Sequence, residues 1–316
     1  MDVGKGLATQ KPPARFKKAL GYIARNKYLY LLLLPALVFY FIFCYMPMGG
    51  ILIAFQDYMP AFGIGGSDWV GLEHFQRLFS SSDFYRLFRN TILISLYKLI
   101  FYFPMPIILS LMLNEVKHKY FKKTVQTILY FPYFISWIVV YSIVYSLTSL
   151  DGGMIPQLFR MFGQEPVILL AEKETFRGLL VVTEIWKNAG WGTIIYLAAI
   201  AGINDELYEA ARIDGAGKWA EIRYITLPCI MPTIVTMLLL SMSNVLNAGF
   251  AQVLAMYNPA VYEVADIFDT YVYRQGLLSA QFSYSTAVGL FKSVINFAVV
   301  IVFDRIAKHC GFAGLL

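Results

Sequence analysis

The stretch Glu209-Ala-Ala-Arg-Ile-Asp-Gly-Ala-Gly-Lys-Trp219 decides the fold, and it leads into Ile225-Thr-Leu-Pro228. It is a polar, helix-forming insert with a glycine break, and it lies between two long apolar segments. Asn204 or Asp205 can cap the start of this helix, because their short side-chain oxygens accept the free first-turn N–H groups. Gly215 can take the left-handed conformation that ends a helix. The pattern therefore predicts a helix, a turn and a second short helix.

The small residues of this insert favour close contact with another surface. Ala210 and Ala211 are strong helix formers with almost no side chain, so a partner can approach the backbone. After the turn, Trp219, Ile222 and Ile225 recur every three residues, as one face of a helix does. An ordinary amphipathic connector between membrane helices is the alternative interpretation, although such a connector has no need of this residue order.

Apolar blocks long enough to cross a bilayer surround the insert. The chain has 316 residues, of which 58% are hydrophobic, whereas soluble domains have roughly 45–50%. A membrane helix needs about 20 apolar residues. Six blocks meet this length: residues 28–47, 91–113, 127–148, 179–201, 228–254 and 284–303. The sequence predicts an all-α membrane protein with six transmembrane helices.

Charge predicts the orientation of these helices. Lysine and arginine are enriched in cytoplasmic segments. With the N-terminus inside, 16 of the 26 Lys and Arg residues lie in cytoplasmic segments, seven lie in outer segments, and three lie within helices. We therefore expect both termini and residues 204–227 to be cytoplasmic. The net charge of +6 is explained by this topology, and nucleic-acid binding is not expected.

The order Glu-Ala-Ala, Asp-Gly-Ala and Leu-Pro resembles the cytoplasmic loop through which permease subunits of binding-protein-dependent ABC importers bind their ATPase. Ile222 departs from that family, which usually has Phe at this place, and the change could alter the docking surface. The resemblance implies that the following residues couple the chain to an ATPase: Glu209, Ala210, Ala211, Asp214, Gly215, Ala216, Leu227 and Pro228.

Other segments are similar to a polysaccharide and oligosaccharide branch of these permeases, which is related to the maltose-type permeases. They are Tyr28–Tyr58, Trp69–Phe75, Asn258-Pro259, Asp269–Arg274 and Ala287–Val294. The resemblance implies the transmembrane domain of a type I ABC importer in a bacterial cytoplasmic membrane. It also implies a second, non-identical permease, two ATPase subunits, an extracellular lipid-anchored solute-binding protein, membrane lipids and an oligosaccharide substrate as partners.

The expected organisation has four parts. A basic cytoplasmic segment (1–27) precedes the first membrane helix and outer loop (28–89), the permease core (90–303, with the coupling loop 204–227) and a cytoplasmic tail (304–316). Within the first part, residues 14–27 mix basic and apolar positions, which fits either a helix on the inner leaflet or a basic flanking tail.

The sequence lacks the motifs of an energy-converting enzyme. Gly217-Lys218 is followed by Trp219, and Arg212 stands where a phosphate-binding loop has its first glycine. We therefore expect no cofactor in this chain, with ATP and Mg²⁺ on the partner ATPase. The three cysteines and three histidines are solitary, and no metal site is expected. An ion-coupled secondary transporter and a membrane scaffold are the alternative functions; the former needs internal repeats, and none is evident.

Charged residues inside membrane helices point to function, because their burial is costly. Lys98, Lys187 and Lys292 lie at similar depths, roughly 12–14 Å below the outer helix ends. They could form a cationic ring suited to an acidic saccharide, or they could be paired locally, as Lys187 with Glu184. The predicted substrate path comprises Lys98, Trp186, Lys187, Asn188, Asn244, Asn247, Lys292 and Asn296. Asn244, Asn247 and Gln252 fit equally well with helix–helix contacts.

Overall fold

The computed structural model describes residue 22 and residues 25–314. Most of the expected inner-leaflet segment, 14–27, therefore lies outside the described residues. The chain divides into two compact units, residues 1–52 and 53–316. In the first unit, α1 (Lys27–Tyr40) contains no buried residue and continues through a π-helical turn, Phe41–Tyr45. A 3₁₀ segment, Met46–Phe55, follows.

The second unit begins with a small subdomain that contains the two strands. Strands β1 (Gln56–Asp57) and β2 (Asp68–Trp69) pair antiparallel around α2 (Gly63–Gly66). Helix α3 (Glu73–Ser80) leads to α4 (Ser82–Tyr97), which is N-capped by the Ser81 side chain. A π turn, Lys98–Tyr102, joins α4 to α5 (Pro104–Glu115), so Ser82–Glu115 is one long apolar span.

The remaining helices follow in order. They are α6 (Lys119–Tyr130), α7 (Trp137–Thr148), α8 (Met154–Met161), α9 (Lys173–Ala201), α10 (Asp205–Ile213), α11 (Lys218–Glu221), α12 (Leu227–Met242), α13 (Phe250–Met256), α14 (Tyr262–Ala265), α15 (Phe268–Tyr273) and α16 (Phe282–His309). Short 3₁₀ turns are Phe131–Phe134, Val245–Asn247 and Pro259–Val261, and π turns are Ile222–Thr226 and Arg274–Leu278.

Four helical segments in the described residues are long and apolar enough to cross a membrane: Lys27–Phe55, Ser82–Glu115, Lys218–Met242 and Phe282–His309. A fifth candidate, Lys119–Phe134 with Trp137–Thr148, is bent by 103°. The expected block 179–201 is one helix of 29 residues, α9, but it is not among these spans. Glu184, Lys187 and Asn188 near its middle make it less apolar. The all-α fold is as predicted; by length and composition the described residues contain these four or five spans, and the expected count of six stays a prediction.

The expected continuous helix 228–254 is wrong. Helix α12 ends at Met242, and α13 begins only at Phe250. Between them Ala248 and Gly249 have positive φ angles of 46° and 80°, which no α-helix accommodates. The polar side chains noted in this block therefore belong to a broken helix. Pro228 lies at the start of α12, which directly follows the π turn Ile222–Thr226, and Pro232 lies inside the helix.

Helix α9 is the centre of the second unit and packs against α5, α6, α12 and α14. Close approach to α6 depends on Gly190, where an added Cβ would lie 2.0 Å from the Leu129 carbonyl oxygen. The main core cluster lies near the N-terminal end of α9, where Phe176 and Leu180 are fully buried against residues of α7 and α13. A small residue such as Gly190 allows the backbones of two packed membrane helices to approach closely.

We predict that Gly190→Ala destabilises the protein, because the new methyl group forces α9 away from α6. Overpacking of this kind costs about 1–3 kcal/mol. Thermal unfolding in detergent should show a lower midpoint for this variant. Gly178 is a matched control on the same helix, because a Cβ there meets no atom within 4 Å. Gly178→Ala should keep or raise the midpoint, and equal losses in both variants would contradict the packing argument.

Candidate functional site

The loop predicted to be a docking element is a defined structure. The Asn204 side chain accepts from the Glu206 N–H (3.1 Å) and caps α10. Gly215 has φ 81°, the left-handed conformation predicted for it, and Gly217 is extended. Ile213 and Trp219 are more than four-fifths exposed, so an apolar surface lies open on this loop.

A buried carboxylate holds the two helices of the loop together. Glu221 on α11 accepts from Arg212 Nε (2.8 Å) and from Lys218 Nζ (2.7 Å), and Lys218 also lies 3.3 Å from Glu115 at the end of α5. Hydrogen bonding to Glu221 raises the pKa of the Arg212 guanidinium. The face of α10 that carries Glu209, Ala210 and Ile213 remains exposed to solvent. The ion pairs fix the position of this face relative to α5.

The expected coupling residues fall into two groups. Glu209, Ala210, Asp214, Gly215 and Pro228 are exposed, and Ala211, Ala216 and Leu227 are half-buried. Trp219 does not share a buried face with Ile222 and Ile225, which are half-buried while Trp219 is exposed. The three-residue spacing after the turn therefore corresponds to a helical segment in which Ile222 and Ile225 lie on the packed side and Trp219 faces away from it.

A second group of functional candidates surrounds the helix break 243–249. A cavity of about 240 Å³ is lined by Lys98, Tyr102, Glu184, Asn244 and Gly249, among others. A larger cavity of about 800 Å³ is lined by Asn247, Asp269, Lys292 and several aromatic side chains. Glu184 and Gly249 line both cavities. The break therefore forms the wall between two cavities, each of which is lined by charged side chains as well as apolar ones.

Lys98 is held by three acceptors at this wall. Its Nζ lies 2.9 Å from Glu184 Oε2, 2.5 Å from Gln252 Oε1 and 3.1 Å from the Ala248 carbonyl. Gln252 is fully buried and in turn donates to the Leu180 carbonyl and to Thr183 Oγ1. The Lys98 ammonium thus satisfies a carbonyl that the broken helix leaves without an intrahelical donor.

Lys292 and Lys187 are also engaged. Lys292 Nζ lies 2.6 Å from both Asp269 oxygens and 2.5 Å from Asn247 Oδ1. Lys187 is buried, donates to the Tyr133 carbonyl (2.6 Å) and lies over the Tyr133 and Trp137 rings. That carbonyl belongs to the 103° bend after α6.

The arrangement differs from a single ring of free lysines. Lys98 lines the smaller cavity, Lys292 lines the larger one, and Lys187 lines neither. The suggested pairing of Glu184 with Lys187 is also not observed, because the Glu184 carboxylate binds Lys98 Nζ and accepts from Asn188 Nδ2. Local pairing is nevertheless the general result.

Three of the other expected path residues, Asn244, Asn247 and Asn296, lie at the same break. Asn244 and Asn247 line the cavities and hydrogen-bond each other (3.1 Å). Asn296 donates to the Ser243 carbonyl and Trp186 is 46% exposed, but neither lines these two cavities. Asp269 is not among the path residues predicted from the sequence, although its place in a polar motif could have indicated it.

Comparison with known proteins identifies the family. The model of the family described as binding-protein-dependent transport system inner membrane component matches residues 103–310. The chain belongs to this family. The chain is 48% identical over 299 residues to the polygalacturonan/rhamnogalacturonan transport system permease protein YteP of Bacillus subtilis, covering 95% of this chain and 93% of YteP. It is 46% identical over 293 residues to protein LplB of the same organism (93% and 92% covered).

A solved structure has the same fold. This permease superposes with a TM-score of 0.86 and 40% identity on a chain of the crystal structure of a bacterial ABC transporter involved in import of the acidic polysaccharide alginate, covering 92% of this chain and 99% of that chain. These findings confirm an importer permease of the membrane-embedded, all-α type I fold. They give no support to an ion-coupled transporter.

We predict that Gly249→Ala disrupts the contacts of Lys98 at the helix break between the two cavities. A Cβ at this position would lie 2.0 Å from Lys98 Nζ, and φ of 80° is also unfavourable for alanine. Lys98 must then leave Gln252 and the Ala248 carbonyl, so the thermal unfolding midpoint should fall. Gly289→Ala on α16 is the control, since a Cβ there meets nothing within 4 Å. An unchanged midpoint for Gly249→Ala would contradict this prediction.

Proposed function

We propose that this chain is one of two permease subunits in an ATP-driven importer of acidic oligosaccharides. Two observations support an ATP-driven importer: the chain belongs to the importer permease family, and the loop between Glu209 and Trp219 is exposed. A permease of this kind has no energy source of its own, so it must receive work from a separate ATPase. The exposed Ile213 and Trp219 provide an apolar contact for that subunit.

The assembly we propose contains a second, non-identical permease, two ATPases that bind ATP and Mg²⁺, and a lipid-anchored solute-binding protein. A relevant precedent is a bacterial alginate ABC transporter that was solved in complex with an alginate pentasaccharide-bound periplasmic protein. One chain of that structure is 39% identical to this chain. We place the chain as a multi-pass protein in the bacterial cytoplasmic membrane, with both termini and residues 204–227 inside. The lysine and arginine distribution supports this orientation.

Three observations support an acidic oligosaccharide as the substrate. YteP is named for polygalacturonan and rhamnogalacturonan, and the similar structure belongs to an importer of an acidic polysaccharide. In this chain the larger cavity combines Lys292 with amide and aromatic groups. Aromatic faces stack on sugar rings, amides bind hydroxyl groups, and an ammonium group binds a carboxylate.

Uptake by the reconstituted complex tests the substrate class. Proteoliposomes that contain both permeases and the ATPases, supplied with the binding protein, should accumulate galacturonate oligosaccharides when ATP is enclosed. Titration of the binding protein with a saccharide panel should rank acidic oligomers above neutral oligomers of the same length. Preferential binding and uptake of neutral oligomers would contradict the acidic part of the proposal.

We predict that Gly215→Val uncouples ATP hydrolysis from transport. The left-handed backbone costs a non-glycine residue about 1–2 kcal/mol, and the added side chain projects into open space where the ATPase would dock. Uptake per ATP hydrolysed should fall, while membrane insertion is retained. Normal coupled uptake in this variant would contradict the assignment of Glu209–Trp219 as the ATPase-coupling loop.

Two matched variants separate backbone strain from partner contact. Asparagine tolerates the left-handed region better than valine, so Gly215→Asn should retain more coupling than Gly215→Val. Gly217 is extended, with φ −82°, and a Cβ added there meets no atom within 4 Å. Gly217→Ala should therefore leave the loop's own conformation intact, and any loss in that variant measures contact with the ATPase.

We also predict that the purified chain does not hydrolyse ATP without its partners. The warrant is the sequence, in which Gly217-Lys218 is followed by Trp219 and no phosphate-binding loop is present. Phosphate release by the isolated permease should equal background and should rise when the ATPase subunits are added. Hydrolysis that persists in the isolated, homogeneous permease would contradict the proposal.

A further inference from the structure

The Asp269–Lys292 ion pair lies in the wall of the larger cavity and faces a space that can hold a sugar. Both Asp269 oxygens lie 2.6 Å from Lys292 Nζ, and Asn247 Oδ1 accepts from the same ammonium group at 2.5 Å. The cavity of about 800 Å³ is also lined by Trp137, Phe250, Tyr273 and Phe282. Aromatic, amide and charged groups therefore converge on one space.

The two lysine–carboxylate pairs at the break are held differently. Glu184 accepts from Asn188 as well as Lys98, and Lys98 has two further acceptors on α13 and at the break. For Asp269, Lys292 is the sole side-chain donor within the described part of the chain. The Asp269 side chain is 21% exposed, against 13% for Glu184. Asp269 can thus be replaced without dismantling a larger network.

The Lys292 side chain is only 12% exposed, and an ammonium group that is largely removed from water needs a partner, because leaving its charge uncompensated is costly. A substrate carboxylate carries the same charge as Asp269 and can take its place beside Lys292. The displaced Asp269 carboxylate then faces the cavity, where water or sugar hydroxyl groups can hydrate it. A neutral saccharide offers no such replacement and leaves the ion pair closed.

We propose that Asp269 is a resident stand-in for the substrate's carboxylate, which holds Lys292 in the unloaded path and yields it to a uronate group. This inference rests on the proposed function and adds to it a specificity-determining pair. Lys292 binds the acidic group, and a ligand carboxylate must bind Lys292 strongly enough to displace Asp269. Asn247 remains on Lys292 in both states and fixes the position of the ammonium group.

Direct binding to the path tests the exchange. The permease–ATPase complex in nanodiscs, without the binding protein, is titrated calorimetrically with a galacturonate trisaccharide and separately with its methyl ester. The wild type should bind the acid more tightly. Asp269→Asn removes the competing carboxylate, so the dissociation constant for the acid should fall about three- to tenfold while that for the ester is unchanged. Lys292→Met should lose the preference, and Lys292→Arg should keep it.

The outcomes distinguish a failure of this inference from a failure of the proposed function. A wild type that prefers the acid, with the same preference in Asp269→Asn and Lys292→Met, overturns this inference alone. Parallel losses for acid and ester in both variants also overturn it, because they indicate a purely structural ion pair; the basal ATPase rate shows whether each complex is assembled. A wild type that prefers the ester contradicts the acidic substrate, and one that binds neither saccharide contradicts the proposed function itself.

Discussion

The structure depends on the requirement that backbone polar groups inside a membrane find partners within the protein. Water cannot supply them there, so non-helical backbone is tolerated only where side chains or a cavity satisfy it. The break at 243–249 meets this requirement with donors and acceptors from two other helices. Ser95 donates to the Val245 carbonyl and Asn296 to the Ser243 carbonyl, and Lys98 donates to the Ala248 carbonyl. The break is thereby a fixed structure.

The same requirement explains how three lysines whose burial is costly are accommodated in this fold. Lys98 and Lys187 each donate to a carbonyl at an irregular turn, and Lys292 binds Asn247 within the break. Two of the three also have a carboxylate partner, so the polar region carries opposite charges side by side. Lys292 therefore has a structural contact and also faces the larger cavity, where we propose that substrate binds, whereas Lys187 lines neither cavity.

Local patterns in the sequence predicted the helices and the loop but not the breaks. Gly215 and Asn204 act within a few residues of themselves, so their left-handed turn and helix cap could be read directly from the sequence. The break after Met242 could not, because hydropathy averages over a window and Ala248 carries no signal for a positive φ. The Lys98–Glu184 and Lys292–Asp269 pairs join residues 86 and 23 positions apart, beyond the reach of helical spacing. Depth along each helix was insufficient to place three lysines in one space, since rotation about the helix axis decides which cavity a side chain meets.

The loop and the cavity are mechanically joined by one element. Lys218–Met242 is a continuous helical segment of 25 residues, which spans about 37 Å at 1.5 Å per residue. Its first turn carries Lys218 and Glu221, which fix the loop, and its last residue directly precedes the break that binds Lys98 and Lys292. A helix resists compression, so displacement at the loop end must be taken up at a less regular point. The π turn Ile222–Thr226 and the break beyond Met242 are two such points. In the assembly proposed above, movement imposed by an ATPase on Glu209–Trp219 would therefore reach the wall that separates the two cavities.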